Sequence, residues 1–263
     1  MVYFMNILRT QGLVIKDINV GEADKIITIF TRRNGKIQAS ARGVKRPRSK
    51  LIAGTQFLCY SDFVLYRGKD LYRVSQSEVI ENFYNIRNSI EKLSYATYFV
   101  ELASEVIDEG YINNKLLKLL LNTLYVLSTT DRDPRLLKVI YELRLMSTIG
   151  YAPNLIACTS CGNIEQAKYF SSIIGGLVCD KCLRNIKSRN NIMLSAGALH
   201  TMRYILYSKL NKIFSFEVSP KVQEELDFIA KDFLLTHIDK EFKTLKYLEN
   251  LLSIKNMDSK SHQ

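Results

Sequence analysis

Apolar and polar positions along the first 80 residues follow a short period. Leu13 to Ile15, Ile26 to Phe30, Lys36 to Ala41, Thr55 to Tyr66 and Leu71 to Val79 are apolar, β-branched or aromatic runs separated by polar or glycine-containing breaks. The fourth run alternates, with Phe57, Cys59, Phe63 and Leu65 on one side and Leu58, Tyr60, Val64 and Tyr66 on the other. Successive side chains of a strand point to opposite faces, so this period of two predicts one. Asn34-Gly35 and Arg67-Gly68-Lys69-Asp70 supply the hairpin turns. Five short strands in this space suit a small closed barrel. An OB-type barrel leads, because that fold commonly binds single strands across one face and its loops.

Beyond residue 80 the period lengthens. Ile86, Ile90, Leu93, Ala96, Val100, Ala103 and Ile107 recur every three or four residues and stop near Gly110. Leu116, Leu117, Leu120, Leu124 and Leu127 form a second stripe; Leu136, Ile140, Leu143 and Met146 form a third, opened by Asp133-Pro134 and closed by Gly150. The pattern resumes at Leu199 to Phe214, Val222 to Leu235 and Leu245 to Leu252. Such stripes are core-facing helix surfaces. The expected fold is α+β: an N-terminal OB-type β-barrel at 1–80, an α-helical domain in two parts at 81–155 and 189–252, and an inserted four-cysteine zinc-binding segment at 156–188. Residues 253–263 are polar and read as a flexible tail.

The inserted segment is too short to fold on an apolar core of its own, so something must staple it. Cys158-Thr159-Ser160-Cys161 and Cys179-Asp180-Lys181-Cys182 are two C-x-x-C units separated by 17 residues. Each such turn aims two thiolates at one point, and two turns complete a tetrahedron around one structural zinc ion. Gly162 and Gly175-Gly176 stand where tight turns are needed. Two redox dithiols or a pair of disulfides are the other readings. Four thiolates leave no open coordination position, which argues against a catalytic metal. His200 and His237 lie in helical stretches, His262 lies in the tail, and Cys59 reads as a small buried apolar residue.

Charge changes the picture next. The formal net charge is +11, and residues 1–80 carry 14 lysines and arginines against six acids. No acidic residue stands between Asp24 and Asp62, where nine basic ones do. A one-signed surface on one domain points to a polyanionic partner. Its centre is Arg42-Gly43-Val44-Lys45-Arg46-Pro47-Arg48-Ser49-Lys50, a loop by virtue of Pro47 and Gly43. Arg32, Arg33 and Lys36 precede it, and Arg67 and Lys69 lie in the later hairpin. Together these ten basic residues are the expected nucleic-acid contacts; Tyr60, Tyr66 and Tyr72 are candidates for stacking on bases, or for packing. Nothing resembles a base-reading helix. No phosphate-binding glycine loop, dinucleotide fingerprint or metalloprotease helix occurs, and Glu22 with Asp24 alone is no evidence of acid–base chemistry. No apolar run approaches the roughly 18 residues of a membrane span, and no signal peptide is read, so a cytoplasmic protein is expected.

The order of these parts resembles the bacterial RecO family of recombination mediators. The resemblance is carried by Gly21-Glu22-Ala23-Asp24-Lys25 with Thr28-Ile29-Phe30-Thr31 and Gly35-Lys36, by Arg42-Gly43, and by Leu65-Tyr66-Arg67-Gly68 with Asp70-Leu71-Tyr72. Tyr141-Glu142-Leu143-Arg144-Leu145, Gly150-Tyr151-Ala152-Pro153 and Cys158 resemble the entry to its zinc segment, and Leu194-Ser195-Ala196-Gly197-Ala198-Leu199 its exit. The resemblance spans about residues 10–250. It implies a non-enzymatic protein at the nucleoid that binds single- and double-stranded DNA and anneals complementary strands. It also implies work with RecR, engagement of the C-terminal tail of the single-strand-binding protein SSB, and help in loading RecA onto coated strands. On the residues alone, an RNA-binding factor and an accessory module whose zinc ribbon docks a protein stay open.

Overall fold

The first strand, β1 (Ile7–Val20), is long enough to pair twice. Its N-terminal half runs antiparallel to β4 (Tyr60–Arg67), from Ile7↔Tyr66 to Leu13↔Tyr60. Its C-terminal half pairs with β2 (Asp24–Thr31) through a bulge between Val14 and Lys16. Bulges bend a strand and increase its twist, which is how one strand serves two neighbours. β3 (Gly35–Ala41) follows β2 antiparallel, and β5 (Tyr72–Glu81) returns along β4. A short parallel register, Ala39↔Tyr72 and Ser40↔Arg73, joins β3 to β5 and closes the barrel in the order β1-β2-β3-β5-β4. The five-stranded barrel expected from the alternation is therefore present, and its order is that of an OB-type barrel. Val14, Ile27, Ile29, Ile37, Phe63, Leu65 and Val74 fill it. Each contributes about 1.5–3 kcal/mol of burial free energy.

The fourth run begins later than its alternation predicts. Thr55 ends a 3-10 turn (Ala53–Thr55), and Leu58 turns the backbone with φ 62°. Leu58 N–H donates to the Val14 carbonyl (3.0 Å) and Val14 N–H to that of Cys59 (2.9 Å), so residues 55–59 hang on β1 as a turn. Apolar alternation persisted there because Leu58 and Cys59 are both buried, not because the chain is extended.

The computed structural model describes residues 7–186 and 191–261, and the chain divides into two units after Ser128. In the first, the barrel is followed by α1 (Tyr84–Arg87), α2 (Ile90–Val106) and α3 (Asn114–Thr129). α2 buries Tyr95, Tyr98, Phe99 and Leu102, whereas Ile90 of the expected stripe is 64% exposed at its first turn. Leu116, Leu117, Leu120, Leu124 and Leu127 of α3 are all buried as expected.

In the second unit, α4 (Pro134–Thr148) is capped by the Asp133 carboxylate, which accepts the Arg135 N–H at 2.8 Å. It packs on α6 (Ala196–Tyr207) and α7 (Pro220–His237). Within that packing Lys138 Nζ lies 3.2 Å from Glu142 Oε2 and 3.9 Å from Asp227 Oδ1, with Glu142 fully buried. Between α4 and α6 a three-stranded sheet forms in the order β7-β6-β8 from β6 (Ala167–Ser171), β7 (Gly176–Cys179) and β8 (Ile192–Met193). A one-turn α5 (Asp180–Leu183) follows β7. The last helix, α8 (Lys243–Ser261), carries helical backbone through the segment expected as a tail from Ser253. His262 lies outside the described residues. Among the described residues no helix is long and apolar enough to cross a membrane.

Candidate nucleic-acid interface and metal centre

Strand pairing gathers basic residues that the sequence scatters. β1 and β4 pair at Arg9↔Val64, and Arg32 and Arg33 occupy the β2–β3 turn. With Lys50 these three arginines line one cleft of about 1090 Å³ on the barrel surface. Gln11, Gln76 and Ser77 add polar groups, and Leu51 and Val64 an apolar patch. Two carboxylates, Asp62 and Glu78, face each other across β4 and β5 and share the lining, so the cleft is basic on balance rather than uniformly. Tyr60 donates its hydroxyl to Gln11 Oε1 at 3.2 Å. Burial raises the Tyr60 phenol above its ordinary value, against the nearby Arg32 charge, so it stays a neutral donor.

The expected contacts divide into four sets. Arg32, Arg33 and Lys50 meet in the cleft. Arg42, Lys45, Arg46 and Arg48 are exposed on the loop that leads into Lys50. That loop is built rather than slack. Gly43 N–H donates to Asp24 Oδ1 at 2.7 Å, Lys45 N–H to the Ala23 carbonyl at 2.9 Å, and Arg46 and Ser49 continue as successive turns. Asp24, which alone with Glu22 was no evidence of acid–base chemistry, thus anchors the basic loop. Arg67 and Lys69 stand exposed on the β4–β5 turn. Lys36 stands apart from them, its ammonium donating to the Ser104 carbonyl at 2.8 Å. Tyr72 packs partly against the barrel core, and Tyr66 is half-buried. Arg9 escaped the sequence reading: a single basic residue in a polar stretch carries no local signal, and only its pairing opposite Val64 brings it to the cleft.

The four cysteines converge as their spacing requires. The sulfurs of Cys158, Cys161, Cys179 and Cys182 lie within 4.8 Å of one another. Cys161 Sγ and Cys179 Sγ are 3.7 Å apart, close to the ~3.8 Å edge of a tetrahedron with ~2.3 Å zinc–sulfur bonds and far beyond a disulfide. Hydrogen bonds hold the first turn in place. Cys158 N–H donates to the Asn163 carbonyl, and Gly162 N–H to that of Cys158, both at 2.8 Å. Thr159 N–H reaches the Leu177 carbonyl at 2.8 Å, docking this turn on β7. Cys158 and Cys179 are buried, Cys182 partly so, and Cys161 exposed. Burial opposes ionisation of Cys158, but backbone N–H donors from Cys179, Cys161 and Ser160 outweigh it and bring the thiol down to about 6. Cys182 is pushed up to about 12 by hydrogen bonding with the Cys161 and Cys179 sulfurs. A metal binding here takes the sulfurs as thiolates and displaces their protons. A soft, four-sulfur donor set at these separations fits a structural metal ion. Among the described residues the histidines take no part. His200 is exposed, and His237 packs edge-on to Phe233 with its ring nitrogen 2.9 Å from the Ser172 carbonyl. Cys59 is buried in the first unit, where burial raises its thiol.

Residues 5–83 match the family model described as recombination protein O N terminal, and residues 87–246 that of recombination protein O C terminal. Among similar proteins, the DNA repair protein RecO of Acetivibrio thermocellus is 46% identical over 252 residues, covering 95% of this chain and 100% of the relative. The DNA repair protein RecO of Alkaliphilus metalliredigens is 36% identical over 247 residues, 93% of this chain and 100% of its own. That of a Thermoanaerobacter species is 32% identical over 247 residues, covering 94% of this chain and 99% of its own. With two family models spanning nearly the whole length and relatives matched end to end, the chain belongs to the RecO family of DNA repair proteins.

Proposed function

We propose that this chain is a non-enzymatic recombination mediator that binds single- and double-stranded DNA, anneals complementary strands and helps load a recombinase onto SSB-coated DNA. The observation that carries the reading is the barrel cleft lined by Arg9, Arg32, Arg33 and Lys50, continued by the exposed Arg42–Arg48 loop. Phosphates need no fixed register, so a cleft and an adjoining basic loop hold two backbones side by side. Neutralising both backbones lowers their repulsion and lets complementary bases pair. No bond forms or breaks, so no nucleophile or general base is needed. Arg67 and Lys69 extend the surface at the β4–β5 turn, and Lys36 positions the barrel against α2 rather than DNA.

Cys158, Cys161, Cys179 and Cys182 hold one zinc ion, whose chemistry is to cross-link two turns that bury too little to stay folded alone. RecR, the C-terminal tail of SSB and, indirectly, RecA are the protein partners, as the family resemblance implies. The place of action is the cytoplasm, at the nucleoid. Fluorescence anisotropy with bare strands at low salt tests the DNA-binding core of this reading. Single- and double-stranded DNA should both bind, and Arg32→Glu with Arg33→Glu should weaken every sequence at least tenfold. No binding at 50 mM salt sinks the reading, and a clear preference for RNA of equal length replaces it with the RNA-binding one.

A further inference from the structure

A second cavity opens beside the cleft and shares Arg33 with it. Its volume is about 390 Å³, and its walls come from β3, the β4–β5 turn and the α2–α3 connection. That connection is pinned to the barrel. Gly110 N–H donates to the Lys36 carbonyl (3.2 Å), Lys36 Nζ to the Ser104 carbonyl (2.8 Å), and Gln38 Nε2 to Glu109 Oε1 (3.1 Å). Gly35 makes the approach possible, since a Cβ there would lie 2.2 Å from the Tyr111 carbonyl oxygen. The cavity is a fixed feature of this unit, not a gap between loose loops.

We infer that this cavity receives one unstacked nucleobase of a single strand whose phosphates lie on Arg33 and the cleft. This rests on the DNA-binding reading of the barrel. A base needs an aromatic or apolar face and polar groups at its edge. Tyr72 and Ile112 line the cavity and provide the first, with Ile112 half exposed. Asp70 and Glu109 provide acceptors at the edge, and Arg33 and Gln38 in the same lining provide donors. Acceptors and donors together suit a base that presents both an exocyclic amine and a carbonyl, such as cytosine. Arg33, at the rim shared with the cleft, holds the phosphate that precedes it.

The test compares a cytosine strand of about 12 nucleotides with an abasic sugar-phosphate strand of equal length and charge. Phosphate contacts treat the two alike, so a base-binding cavity is read as a ratio of affinities. Wild-type protein should bind the cytosine strand about tenfold tighter, the size of one base–aromatic contact. Ile112→Trp and, from β3, Gln38→Trp should each bring that ratio to about one while binding of the abasic strand is kept. Both positions are solvent-facing, and circular dichroism confirms which variants are folded. Equal binding of both strands by the wild type overturns the proposal and leaves the basic cleft standing. An unchanged ratio in either folded variant overturns it as well, by assigning the bases to another surface. Failure of the wild type to bind either strand at low salt overturns both this proposal and the DNA-binding reading.

Discussion

Removing Arg46 and Arg48 together should flatten the salt dependence of single-strand binding by an amount that can be worked out beforehand. Each phosphate neutralised on a single strand contributes about −0.7 to the slope of log affinity against log salt. The cleft supplies four basic residues, Arg9, Arg32, Arg33 and Lys50, and the exposed loop supplies four more in Arg42, Lys45, Arg46 and Arg48. Eight contacts give a slope of roughly −5.6, a loss on the order of 2000-fold between 50 and 200 mM salt; four alone give roughly −2.8, or about 50-fold. The double variant Arg46→Ala with Arg48→Ala should therefore fall to a slope of roughly −4.2, about a 300-fold loss. Lys36→Ala serves as the internal control. Its ammonium is held by the Ser104 carbonyl, so the slope should not move. The assay is anisotropy titration of a labelled strand at five or so salt concentrations. A wild-type slope near that of four contacts, or a double variant indistinguishable from wild type, refutes the role given to the loop.

Cys179→Ser should lower bound zinc from one per chain to near zero by metal analysis and speed proteolysis between residues 158 and 182, because it deletes one corner of the sulfur tetrahedron. Wild-type protein without zinc, or a variant with unchanged metal and stability, contradicts the centre. Lys138→Met takes away a cation 3.2 Å from the fully buried Glu142 carboxylate and should cost on the order of 3 kcal/mol by urea unfolding. Adding Glu142→Gln should recover most of that loss; a neutral single variant would show that the pair contributes nothing. Gly35→Ala forces an L side chain to φ 63° and against the Tyr111 backbone, so more than about 2 kcal/mol should be lost. A crystal structure of a stable Gly35→Ala protein with the α2–α3 connection undisplaced would contradict that packing.

What the sequence displayed depended on how local each signal was. The cysteine centre was fully legible, because two C-x-x-C turns need only their own spacing to aim four sulfurs together. The helices of the second unit were legible through their apolar stripes and, for α4, through Asp133; Ser195 and Ser219, which accept a backbone N–H at the start of α6 and α7, went unread. β1 was legible only around Leu13 to Ile15. Its first half pairs with β4 on a largely polar, exposed face and gives no apolar alternation. Closure of the barrel rests on two residue pairs between β3 and β5, a contact that no local pattern encodes. Net charge placed the basic surface on the barrel but could not assign its members. Arg9 joins the cleft through a partner more than 50 residues away, whereas Lys36, in a basic neighbourhood, points its charge at the end of α2. Tertiary pairing decided both.

The most direct measurement follows pairing of two complementary labelled strands, each coated with the single-strand-binding protein, with and without this chain. The expected result is acceleration at sub-stoichiometric protein, abolished when Arg32 and Arg33 of the cleft and Arg46 and Arg48 of the loop are reversed to Glu. Tight binding to bare strands without any acceleration of pairing on coated ones would contradict the mediator role and leave only a DNA-binding protein.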